Sequence, residues 1–284
     1  MIKVLKSGLY TSIQDTGRVG FRNLGVPLSG AMDSISAGFA NALLNNKKND
    51  AVLEITMLGP KLEFFKTTQI AISGAEISPK INNISILNNK VYTINSGDVL
   101  SFGKLIKGVR AYLAVKGGFK TEIVLKSRSF YDGITSKDIF KENDFINIDK
   151  WNPNKINTTG GLLKNKIQFF ETSIIEVYKG PELELFDKKQ QELLLVSNFT
   201  IGNTSNRMGY RLEEIVLKHS KSMITSPVLP GTVQLTPEGK LIVLMKDAQT
   251  TGGYPRVFQL TEKSIAILAQ KATGSIFNFK LISI

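Results

Sequence analysis

The chain has 284 residues and a formal net charge of +12, with 42% hydrophobic and 21% charged residues, no cysteine and one histidine. That is enough chain for one large domain or two of about 140 residues each, and too apolar a composition for disorder. The missing cysteines exclude disulfides, thiolate zinc sites, Fe–S clusters and a cysteine nucleophile, and the lone His219 excludes a His₂ or His₃ metal site.

Along the chain, short apolar segments bounded by Gly, Pro, Asn or Asp read as strands: 2–5, 69–73, 109–115, 174–178, 193–197 and 241–245. Helices are few. Residues 33–44 carry an apolar stripe behind the turn formers Ser29 and Gly30, and 261–271 begin with Thr261 as an N-cap. Pro181 can open a short helix through Phe186, since proline fits the first helical position. Many strands with rare helices favour β-barrels or sandwiches over an α/β sheet. The polar stretch at 151–166, with Pro and Gly-Gly, reads as a linker between an N-terminal domain over 1–150 and a C-terminal domain over 167–284. A faint echo, EITMLGPKLEF from Glu54 and EVYKGPELELF from Glu176, is weak evidence of duplication. No run reaches the roughly 18 apolar residues of a membrane span, and the first 17 residues lack a signal pattern, so a cytoplasmic chain with no membrane partner is expected.

The positive charge is scattered rather than gathered on a basic helix or an aromatic-interleaved motif, so no nucleic-acid partner is expected. The field would steer in an acidic partner or a phosphate-bearing ligand. The arginines are more informative. Only seven of the 36 basic residues are arginine, and in so lysine-biased a chain a surviving guanidinium suggests a need for its planar fork. Arg18, Arg22, Arg207, Arg211 and Arg256 lie in or beside glycine-rich segments. Each can brace an internal carboxylate or contact a ligand; charge chemistry alone leaves both open.

Four longer segments mix glycine with Asp, Ser, Thr or Arg: 14–18, 25–33, 205–212 and 247–256. A shorter one spans 229–234. Glycine lets backbone approach a guest, and neighbouring N–H groups can form a concavity for anions. Tight turns prefer the same residues, but several such segments in one chain suggest a shared site. There is no Walker A motif, GxSxG elbow or HExxH. The chemical repertoire is therefore carboxylates and arginines. Asp15, Asp33, Glu54 and Asp247 are candidate bases, Mg²⁺ ligands or amide acceptors, with N-caps, Asx-turns and arginine braces as the plain alternatives.

Taken together, QDTGR, GVPLSGAMD, LEITMLGP, the SGA at 73–75, VRAYLAVKGG, the SRS at 127–129, NRMGYRL, LPGTVQLTPEG and TTGGYP resemble the KipA/PxpC family. This is the family of the C-type 5-oxoprolinase subunits, also labelled biotin-dependent carboxyltransferase, and it is similar to part of the carboxyltransferase region of urea amidolyase. The resemblance implies a mainly β fold of two cyclophilin-like β-barrel domains. It implies a hydrolase subunit that opens 5-oxoproline to glutamate with ATP, and with Mg²⁺ where the nucleotide carries it, beside a PxpB/KipI-like and a PxpA-like subunit. On the family's motifs, Asp33, Glu54 and Arg207 are expected at the chemistry. Arg18, Arg128, Ser29, Gly30, Thr250, Thr251, Gly252, Gly253 and Arg256 are expected around the small-molecule substrate and its anionic groups. No resident metal site is expected. Two other roles are compatible with the resemblance. One is a regulatory binder that antagonises a KipI-like inhibitor. The other is a carboxyltransferase using carboxybiotin on a separate carrier, since this chain has no biotinyl lysine.

Overall fold

The computed structural model describes residues 1–151, 169–221 and 223–283. Of the linker expected at 151–166, residues 152–166 lie outside the described residues. The fold is mainly β, and the described residues contain three α-helices. Two compact units account for the chain: Met1–Gly17 with Asp33–Gln168, and Arg18–Met32 with Phe169–Ile284. Residues 18–32 thus belong to the second unit, whereas the sequence pattern kept them within 1–150.

The first unit holds β1 (Ile2–Lys6), β2 (Tyr10–Gln14), α1 (Ser34–Leu43), β3 (Val52–Thr56), β4 (Lys61–Phe64) and β5 (Thr68–Glu76). It continues through β6 (Pro79–Ile81), β7 (Ile84–Ser85), β8 (Val91–Ile94), β9 (Val99–Phe102), β10 (Lys107–Val115) and β11 (Phe145–Ile146). A six-stranded sheet runs β11-β1-β4-β9-β6-β7 and a five-stranded one runs β2-β3-β10-β5-β8. They share one core: Ile2, Leu62, Phe64 and Leu100 come from the first sheet, and Ile13, Leu53, Ile72 and Leu113 from the second. Each such apolar side chain contributes about 1.5–3 kcal/mol by leaving water.

The five-stranded sheet departs from the usual apolar-in, polar-out alternation. Its core face carries Ile13, Leu53, Ile55, Leu113 and Ile72. The opposite face is also buried, yet it is polar. Ser12 pairs with Glu54, Glu54 with Tyr112, and Tyr112 with Ser73, so these four form one row across β2, β3, β10 and β5. All four are 0% exposed. Helix α1 packs on β10 and β5, and the Asp33 N–H at its start donates to the Tyr112 hydroxyl at 2.8 Å.

The second unit holds β12 (Ile174–Lys179), α2 (Lys188–Val196), β13 (Phe199–Thr200), β14 (Gly209–Ile215), β15 (Ser226–Pro227) and β16 (Thr232–Leu235). After these come β17 (Lys240–Leu244), β18 (Thr251–Gly252), β19 (Arg256–Leu260), α3 (Glu262–Ala269) and β20 (Ile276–Leu281). Its main sheet runs β13-β20-β12-β19-β16-β17-β14. An Ile201–Leu212 bridge joins the two ends, so the sheet is nearly a closed barrel, which leaves few free edges. Val177, Val233, Val243, Phe258, Leu268 and Phe277 fill it. Thr261 caps α3 by accepting from Ser264 N, as its sequence suggests.

One expected strand is a helix. Residues 193–197 lie mostly in α2, which starts with a reciprocal capping box between Asp187 and Gln190. The run Leu193–Val196 is too short for periodicity to choose between strand and helix, and the cap upstream decides it. The helix expected from Pro181 is a single 3₁₀ turn at Leu183–Leu185.

Candidate functional site

In the second unit the glycine-rich segments meet. Ser29 N donates to Lys246 O at 2.9 Å. Segment 207–208 runs beside 245–247 through Met245 N to Met208 O and Asp247 N to Arg207 O. β15 pairs with β18, setting Ser226 opposite Gly252. A Cβ on Gly252 would lie 2.4 Å from Gln234 Nε2, so a larger residue there would have to displace the Gln234 amide. Residues 25–32 and the segments at 205–212, 229–234 and 247–256 therefore form one neighbourhood within the second unit.

The arginines in it fall into two kinds. Arg207 is 7% exposed and grips Asp247 with Nε to Oδ2 at 2.6 Å and Nη2 to Oδ1 at 3.1 Å. Its Nη2 also donates to Gly30 O at 2.8 Å. Arg256 grips Glu182 with Nε to Oε2 at 2.8 Å and Nη2 to Oε1 at 2.5 Å, and reaches Pro227 O through Nη1. That clasp holds the Glu182 carboxyl below its ordinary range and the Arg256 guanidinium above its own. Both geometries are those of a brace: the fork is taken up by an internal carboxylate.

Arg22 differs. It is half-buried, and its Nη2 donates to two neutral carbonyls, Val228 O and Thr250 O. Burial pushes its guanidinium pKa down. Ser29 is a second unusual group. It is a non-glycine residue at φ 56°, 1% exposed, whose hydroxyl has no hydrogen-bond partner. A left-handed backbone costs about 1–2 kcal/mol and an unsatisfied buried hydroxyl about 1–3 kcal/mol, an arrangement characteristic of functional positions. Thr250 is half-buried, and Thr251 and Gly253 are exposed.

In the first unit the polar row carries one of the expected carboxylates, Glu54, and a second, Asp33, adjoins it at the start of α1. The Tyr112 hydroxyl donates to Glu54 Oε2 at 2.8 Å, and Arg110 Nε lies 3.7 Å from Glu54 Oε1. Burial first, then the Glu54 and Asp33 charges, push the Tyr112 phenol well above its ordinary value. Asp33 is the N-cap of α1: Oδ1 accepts from Ile35 N and Ser36 N, and Oδ2 from the Ser36 hydroxyl. The raised phenol keeps its proton, so the Tyr112 hydroxyl stays a donor to Glu54. Tyr112 was missed in the sequence, although VRAYLAV alternates polar and apolar residues through it.

Arg128 stands on a rigid knot. Asp15 accepts from Gly17 N, the Ser127 and Ser129 hydroxyls and Arg128 N, at 2.6–2.8 Å. Just before it, Leu125 and Lys126 both have positive φ within a tight turn between Val124 and Ser127. The half-buried Arg128 side chain has no hydrogen-bond or ion-pair partner among the described residues. Arg18 is fully buried in the second unit. Among the described residues no three His, Asp or Glu side chains gather as a metal would require.

Comparison with known proteins gives this architecture its relatives. The chain matches the carboxyltransferase domain, subdomain A and B, over residues 24–281. It is 33% identical to the C-type subunit of 5-oxoprolinase from Escherichia coli (strain K12), covering 98% of this chain and 90% of that one. It is 43% identical to the urea amidolyase of Lachancea kluyveri over 130 residues, 45% of this chain but 7% of that protein. The K. lactis urea amidolyase crystal structure superposes with a TM-score of 0.83 at 27% identity, over 99% of this chain and 19% of that one. The chain belongs to the carboxyltransferase subdomain A and B family.

Proposed function

We propose that this chain is the C-type subunit of a cytoplasmic, ATP-dependent 5-oxoprolinase, working with PxpB/KipI-like and PxpA-like subunits. The observation that carries this reading is the match to a C-type 5-oxoprolinase subunit along 98% of this chain and 90% of that relative. The match to the Lachancea kluyveri urea amidolyase sequence is locally closer but spans 45% of this chain and 7% of that protein.

Opening a lactam requires the amide oxygen to become a leaving group. Phosphoryl transfer from ATP to that oxygen releases ADP. A first water then adds at the amide carbon, the C–N bond breaks and the nitrogen takes up a proton, which gives an acyl phosphate; a second water displaces phosphate from it, leaving glutamate. Such a path needs cations and oriented N–H groups around a phosphoryl group and a carboxylate. Arg128 in the first unit and, separately, the Ser29 hydroxyl in the second have no side-chain partner among the described residues, and each suits an anion contact of this kind. ATP, with Mg²⁺, is required of the assembly. Arg207 and Arg256 shape the neighbourhood as braces.

Reconstitution tests this. The purified chain is combined with its two partner subunits, 5-oxoproline, ATP and Mg²⁺, and glutamate is measured. Glutamate should appear with all three proteins and vanish when this chain is omitted. Release that does not depend on the chain would defeat the reading. A carboxyltransferase reading, favoured by the 43% local identity to the urea amidolyase, instead requires the chain to stimulate decarboxylation of carboxybiotin.

A further inference from the structure

The arginines can be sorted by what neutralises them. Arg207 has Asp247, Arg256 has Glu182, and Arg110 has Glu54 within 3.7 Å. Arg22 has no carboxylate among the described residues: its hydrogen bonds go to the Val228 and Thr250 carbonyls. Its Nη1 is shielded and has no acceptor among the described residues. Carbonyls orient a guanidinium without cancelling its charge. A buried N–H of a charged group with no acceptor is among the costliest unsatisfied groups a protein keeps.

The surroundings suit a guest. Val228 and Thr250 are tied to each other by Val228 N donating to Thr250 O at 3.1 Å, and the glycines 252 and 253 follow directly. The fork is therefore held by two backbone points, with one donor edge unused. With Nη2 donating to both carbonyls, Nη1 is left to donate to one oxygen of a carboxylate or phosphoryl group. From this geometry we infer that Arg22, which the sequence alone did not place among the ligand contacts, binds an oxyanion through Nη1. This deepens the proposed function by naming a residue and a ligand chemistry, and it rests on that reading only for the identity of the guest.

The test is calorimetric titration of the full chain with inorganic phosphate and, separately, with 5-oxoproline, against chloride at matched ionic strength. Wild-type protein should give saturable heat with at least one of the two, and which one separates a phosphoryl from a carboxylate guest. Arg22→Gln should weaken that binding roughly tenfold or more, the size of a lost charge-assisted contact. Arg22→Lys keeps the charge without the fork. It should weaken binding less than the glutamine variant, and it serves alone if the glutamine variant does not fold. Undiminished binding in Arg22→Gln, or in Arg22→Lys where it serves alone, would overturn the inference. So would the absence of saturable heat with either anion in the wild type. Neither outcome depends on glutamate release, so an error here is distinguishable from an error about the overall reaction.

Discussion

The two units solve the burial of charge in different ways. In the first, Glu54, Tyr112 and Arg110 are threaded into a sheet row, and Asp33 is consumed by the helix it caps. The carboxylates there are compensated by neighbours fixed in β3, β10 and α1. In the second, Arg207 and Arg256 are each clasped by a carboxylate, whereas Arg22 donates only to carbonyls. The difference teaches that burial alone does not mark a ligand contact. What marks it is a buried group whose hydrogen-bonding capacity is left over after the fold has taken its share.

That contrast can be broken where the coupling is strongest. Arg207→Ala leaves Asp247, 5% exposed, without its cation. Uncompensated burial of that charge should cost about 3–5 kcal/mol, seen as a large drop in the chemical-denaturation midpoint. If Arg207 were held mainly for a ligand, stability would change little. The Asp247→Ala variant should be similarly damaged, and the double variant should lose less than the sum of the two.

A middle-sized effect sharpens the first unit. Tyr112→Phe removes a hydroxyl that both donates to Glu54 and accepts from Asp33 N. Two buried groups lose a partner, for a destabilisation of about 1–3 kcal/mol by denaturant titration. No loss would mean that the row is not a connected network.

The smallest effect concerns pH. The Arg256 hydrogen bonds are the leading cause of the lowered Glu182 carboxyl, whose ordinary value is 4.5. Its contribution is therefore present above about pH 4.5 and is lost as the pH falls through the lower, folded value. Arg256→Gln should melt earlier than wild type near neutrality, with the gap closing in acid. A gap independent of pH would remove the clasp from the acid-stability account.

Much of this was legible in the sequence, and the gaps have a common cause. Local signals placed α1, α3 and five of the six strand segments named from the sequence, because caps and alternation act over a few residues. Composition grouped five glycine-rich segments; four of them meet in the second unit, whereas Asp15 of 14–18 is held by Ser127, Arg128 and Ser129 in the first. What neutralises an arginine is not local: Asp247 lies 40 residues from Arg207 and Glu182 lies 74 from Arg256. No spacing rule could separate those braces from Arg22. Tyr112 belonged to a visible polar-apolar alternation, but only the pairing of β2, β3, β10 and β5 shows that its polar side is buried. The segment 193–197 misled because an apolar run carries no period, and its cap stands upstream at Asp187.

The most direct test of leftover capacity as the mark of a ligand contact is one titration on two variants. Phosphate and 5-oxoproline are titrated by calorimetry into Arg22→Gln and Arg256→Gln, side by side with wild type. The account predicts that Arg256→Gln keeps the wild-type heat while Arg22→Gln loses most of it. The reverse pattern, with binding lost at the braced arginine and kept at the open one, would contradict it.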